Sequence, residues 1–205
     1  TDPGFASDIK AWCGRTGHDL LDFDEPEKGI FRAKIRKGEK QTTGQVCDST
    51  KNHKTIVVFS DKMDKVMASL IIANGAASMG RPVTLFFTFW GLNVLKKTGA
   101  NCEKDLMAKM FGHMMPTGAS SLPLSQMNMA GFGKMAMSMV MKKKNVPTLE
   151  DLLQSAKENG IRLIACQMTM EVMGICPKEL IDGVEIGGVA TYLAEAEQSD
   201  MNLFI

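Results

Sequence analysis

Three short, continuous apolar runs constrain this chain most: "TIVVFS" (55–60), "PVTLFFTF" (82–89) and "IRLIA" (161–165). None shows the apolar-polar alternation of a strand with one wet face, so each reads as a strand buried on both faces. The segments between them have helical spacing. Met63, Val66, Met67, Leu70 and Ile71 form one stripe. Leu149, Leu152, Leu153 and Ala156 form another, opened by Thr148 as N-cap and closed by Gly160. Val189, Tyr192, Leu193 and Ala196 mark a last long helix, and "NLFI" a last strand. Buried strands alternating with helices predict an α/β domain over 54–205, with a mostly parallel sheet flanked by helices on both faces.

Two segments depart from this rhythm. Residues 1–37 read as a helix carrying Phe5, Ile9 and Trp12, then two strand-like runs around "DEPEKG". This small, truncated α+β unit is too short to bury its own core. Residues 38–53, "GEKQTTGQVCDSTKNH", are polar and aperiodic and read as a linker. Residues 98–147 are too long for a simple crossover and read as an inserted helical segment. Ten of the 17 methionines lie there, between Met107 and Met141. Such side chains pack adaptably, which predicts core or protomer contacts, or a lid over the cleft. "HMM" (113–115) and "MNM" (127–129) offer soft copper ligands, but in no diagnostic spacing.

The formal net charge is +1, so the chain as a whole projects no strong field toward nucleic acid or an anionic membrane. Its apolar runs are too short to span a bilayer. Five cysteines without a C-x-x-C pair argue against both a disulfide framework and a zinc site, and fit a reducing cytoplasm. No glycine-rich nucleotide motif is present, and the three histidines are scattered, so no cofactor, metal or Ser-His-Asp site is expected.

Ligands bind beyond the carboxyl ends of parallel strands. Ser60 and Asp61 follow the first predicted strand, Thr88, Trp90 and Asn93 the second, and Cys166 and Gln167 the third. These residues are expected to line one cleft. Asp61 would oppose a nearby thiolate, so it is expected to point away or to pair with Lys62 or Lys65. Cys166 ends a core strand and opens the helical turn "TMEVMG". It reads either as an inert buried thiol or as a reactive, accessible one. Cys176, before Pro177, reads as an N-cap or an ordinary turn residue. Gly187 and Gly188 read best as a tight strand-to-helix turn.

"TIVVFSDKMDKVMASLIIANGAASMGRPVTLFFTFWGLNVLKK", "MAKMFGHMMP", "MNMAGFGKM" and "LIACQMTMEVMGI" with the residues after it resemble the DsrE/DsrF-like sulfurtransferase family, in its Met-rich subgroup, over about 54–205. Residues 1–37 resemble the second half of a TusA/SirA-like sulfur carrier, without that family's Cys-Pro motif, as in a fragment of a longer protein. The resemblance implies persulfide chemistry at Cys166, sulfur-donor or sulfur-carrier partners, and a homo-oligomer. A non-catalytic binding or scaffold module with an inert Cys166 is the competing expectation. A Cys166–Cys176 redox pair is a third.

Overall fold

The computed structural model describes residues 9–10, 12–14, 17–27, 30–38, 51–97, 115–127 and 129–205. Two sheets result. Near the N-terminus, β1 (Asp19–Glu27) and β2 (Ile30–Arg36) form an antiparallel hairpin. Opposite charges face each other across it, as in Lys34–Asp22 at 3.4 Å and Arg32–Asp24 at 3.8 Å. Phe23 stacks on Phe31 with ring centroids 6.1 Å apart.

The second sheet is parallel, with strand order β6-β5-β4-β3-β7. Its strands are β3 (His53–Val58), β4 (Val83–Phe87), β5 (Arg162–Cys166), β6 (Val184–Gly187) and β7 (Ser199–Phe204). The α/β reading of the sequence holds. β3 begins at His53, which the sequence pattern assigns to the linker; residues 39–50 of that linker lie outside the described residues.

Helices α1 (Met63–Ser78) and α3 (Leu149–Glu158) cover one face of this sheet. Ile56, Val58, Leu85, Phe87, Leu163 and Ala165 point to that side and form the main core. Asn74 couples the two helices by donating to Leu70 O at 2.9 Å and to Leu152 O at 3.0 Å. Thr148 and Asp151 form the capping box that starts α3. Thr148 N–H and Oγ1 hold the Asp151 carboxyl below its ordinary range.

The intervening strand positions Val57, Phe86, Ile164 and Cys166 point to the other face. There α5 (Val189–Ala196) lies over them, with Tyr192 packed on the cluster. A short helix, α4 (Gln167–Met173), leaves directly from β5. The inserted segment contributes α2 (Phe132–Lys143), as expected of a helical insertion; residues 98–114 of it lie outside the described residues.

A buried polar group ties α5 to the amino ends of the strands. Glu195 faces His53 Nδ1 at 3.4 Å and accepts from Arg162 Nη1 at 2.5 Å, while His53 Nε2 meets Thr84 Oγ1 at 2.9 Å. Because His53 belongs to this group, residues 52–205 are the unit expected to fold alone. Removing residues 1–51 is expected to leave a domain with a single cooperative thermal transition; a broad, non-cooperative melt would show that the N-terminal unit is part of the same core.

Candidate functional site

Beyond the carboxyl ends of β3 and β7 lies a cavity of about 840 Å³. Ser60, Asp61 and Trp90 line it, with Lys62 and Lys65 at its polar side. Phe59 and Phe204 form an aromatic wall, with ring centroids 5.4 Å apart. Met115, Pro116 and Pro123 close another side, so the inserted segment does border the cavity. Asp61 is paired as expected: Lys62 Nζ lies 3.1 Å from its Oδ1, and Asn93 Nδ2 donates to its Oδ2 at 3.3 Å. Asn93 is fully buried and supports Asp61 from behind rather than lining the wall.

A close approach of backbones holds this corner together. Gly91 N–H donates to Phe59 O at 2.9 Å, and a Cβ on Gly91 would stand 2.0 Å from Val58 O. No side chain yields there, because the obstacle is backbone. Gly91→Ala is therefore expected to cost at least about 2 kcal/mol in chemical denaturation, a backbone-clash effect. A change within about 0.5 kcal/mol, the range of neutral surface substitutions, would show that the corner is soft.

The other predicted residues do not join this cavity. Thr88 Oγ1 meets Thr169 Oγ1 at 2.9 Å and fastens α4 to the end of β4. Gln167 donates to Glu171 along α4 at 3.1 Å. Cys166 is a free thiol, 1% exposed, packed with Val57, Phe86 and Ile164 beneath Met168 and Tyr192. Cys166 is therefore not among the residues that line the cavity, and its thiol is closed over. The reason is strand parity: Cys166 shares the face of Ile164, whereas the cavity opens where β3 and β7 end.

Met168 and Tyr192 are the residues that sequence reasoning missed. A signal for Tyr192 exists, since it lies on the predicted stripe of α5 and its ring sits 5.3 Å from Phe86. Tyr192→Ala is expected to raise the alkylation rate of Cys166 in the folded protein by about tenfold, the population change set by about 1.4 kcal/mol of lost packing. An unchanged rate would mean that Tyr192 does not cover the thiol.

The remaining cysteines behave differently. Cys13 is free and buried; desolvation, and then Asp19, push its thiol up, which makes it a poor nucleophile. Cys176 caps the 3-10 turn Pro177–Glu179, its N–H donating to Glu179 Oε2 at 2.9 Å. It is disulfide-bonded. This corrects two expectations: the chain is not without a disulfide, and Cys166, being free, does not pair with Cys176. Cys47 and Cys102 lie outside the described residues, as do His113 and Met114 of the proposed copper motif. Among the described residues no cluster of His, Cys, Asp or Glu is arranged to hold a metal ion.

A five-stranded parallel sheet with helices on both faces defines an α/β domain. The family can be stated outright: residues 50–204 match the DsrE/DsrF/DrsH-like family, and the chain belongs to it. The match does not reach residues 1–37. The chain is 51% identical over 152 residues to the uncharacterized protein YrkE of Bacillus subtilis, covering 74% of this chain and 95% of YrkE. It is 35% identical over 154 residues to the sulfur carrier protein DsrE2 of Allochromatium vinosum, covering 73% of this chain and 96% of that protein. Among solved structures, the ychN protein from E. coli aligns with a TM-score of 0.44 and 12% identity, over 75% of this chain and 99% of that one.

Proposed function

We propose that this chain relays sulfane sulfur, holding it as a persulfide on Cys166 and passing it to a partner thiol. The observation that carries this reading is a free cysteine at the junction of β5 and α4, in a family whose relative DsrE2 is named a sulfur carrier. In the loading step the Cys166 thiolate attacks the outer sulfur of a donor persulfide. The donor's S–S bond breaks, a new S–S bond forms on Cys166, and the donor leaves as thiolate. In the second step the acceptor thiolate attacks that same outer sulfur and Cys166 leaves. Neither step changes the net oxidation state, so thiol exchange alone suffices.

A 1%-exposed thiol must be uncovered for either step. The covering helix supports this. Glu195, near the carboxyl end of α5, is held by His53 and Arg162. Val189 and Leu193, on the outer side of α5, are about half exposed. Opening of the first turn of α5 would free Cys166 without breaking the Glu195 group. A donor or acceptor protein seated on the apolar outer side of α5 would favour that opening.

The burial of Cys166 also supports a second reading, a binding module in which the thiol is only packing. Mass spectrometry of the folded protein after exposure to polysulfide separates the two. The relay reading expects added sulfur on Cys166 before Cys13, and no transfer from Cys166→Ser with an unchanged fold by circular dichroism. Sulfur found on other cysteines alone, with Cys166 untouched, would establish the binding module instead.

A further inference from the structure

Helix α2 buries none of its residues fully. At about 100° per residue, Lys134, Ser138 and Lys142 fall on one side of it. Lys134 turns toward the body of the domain, its Nζ donating to Ser120 O, and Met141 packs on the main core, while Ser138 and Lys142 are exposed at the rim of a cavity of about 790 Å³ that Met63, Met67, Ser120 and Leu149 also line. An adjoining exposed stripe carries Phe132, Met135, Met139 and Val140, with Lys143 at its carboxyl end. Phe132 is 75% exposed, Met135 62% and Met139 59%. The turn leading into α2 adds Met127 and Met129, both largely exposed and both with positive φ, at 55° and 39°. Methionine rarely adopts that backbone region, so this turn presents two thioethers at a conformational cost. No other described residue covers the stripe.

The charge around this stripe is one-sided. From Leu106 to Leu149 the sequence has no Asp or Glu but has Lys109, Lys134, Lys142, Lys143 and Lys144. The whole chain has 24 Lys+Arg and 23 Asp+Glu, so these five leave 19 against 23 elsewhere. The net charge of +1 therefore conceals a positive insertion on a negative remainder. Lys142, Lys143 and Lys144 stand together where the apolar stripe ends.

We propose that this face is a docking surface for an anionic lipid bilayer, on which α2 lies in the plane of the interface. Twelve residues rise only about 18 Å, too little to cross a bilayer, so the helix rests on the membrane rather than spanning it. Phe132, Met135 and Met139 enter the acyl boundary, and the lysines meet lipid phosphates. Charge selects this occupant over a second copy of the chain. Two copies paired through parallel α2 helices would set one lysine cluster on the other. Antiparallel pairing would set each cluster at the positive end of the opposite helix, and neither arrangement supplies an acid. The proposal is independent of the chemistry at Cys166.

The test is co-sedimentation of the intact chain with phosphatidylcholine vesicles, with and without phosphatidylglycerol, alongside sedimentation velocity without lipid. The chain is expected to pellet with the anionic vesicles only, and less as salt is raised. Two variants, F132S/M135S/M139S and K142E/K143E/K144E, are each expected to weaken vesicle binding by about tenfold or more. Neither touches a described core position, and because one removes only surface charge, the proposal stays testable if the other folds poorly. A chain that stays in the supernatant, or that pellets equally in both variants, overturns the proposal. So does concentration-dependent self-association abolished by F132S/M135S/M139S without vesicle binding, which would assign the face to a second copy.

Discussion

The parity of β5 governs this molecule. Side chains alternate across a strand, and this sheet is covered on both faces, so every β5 residue is committed to one of two interiors. Leu163 and Ala165 go to the α1 and α3 side; Ile164 and Cys166 go to the α5 side. A shift of one residue would put the thiol in the main core and Ala165 under Tyr192. The Arg162 group opposes such a slip, because Arg162 pairs with both Glu185 of β6 and Glu195 of α5 at the amino end of the strand. Glu185, and then Glu195, raise the guanidinium's proton affinity further, so this anchor stays charged at any working pH.

The amino ends of the strands carry the buried ion pairs that hold α5, and the carboxyl ends carry Cys166 and the cavity beside Ser60 and Asp61. The cavity with Asp61, Lys62, Lys65 and Trp90 does not contain the thiol. A sulfur relay built this way protects its nucleophile between transfers, because a thiol packed against Ile164 and Phe86 does not meet stray oxidants. In the proposed relay, access to the thiol would then gate each transfer.

Most of the large domain was legible because its signals are local. The apolar runs mark β3, β4 and β5, and Thr148 marks the start of α3 with its capping box. Pairing of Asp61 with Lys62 follows from charge alone. The features that were not legible depend on the third dimension. Strand ends in sequence suggest convergence, yet Cys166, Thr88 and the Ser60–Asp61 pair face different neighbours, because which face a residue joins depends on the covering helix. Cys176 looks like a plain turn residue, since no cysteine spacing in the sequence announces its disulfide. The outward stripe of α2 has the pattern of core or contact surface, since periodicity reports a stripe and not the direction it faces. Whole-chain charge likewise averages away the basic insertion.

Access to Cys166 in the folded protein decides between a sulfur relay and a packed core thiol. Native-state alkylation of Cys166, read by peptide mapping as urea is increased from zero, measures this most directly. A relay with a gated thiol predicts labelling that is nearly independent of urea well below the unfolding transition, with an opening free energy smaller than the global stability. Labelling of Cys166 that appears only in step with global unfolding, with the same urea dependence, would contradict it and leave the thiol as part of the core.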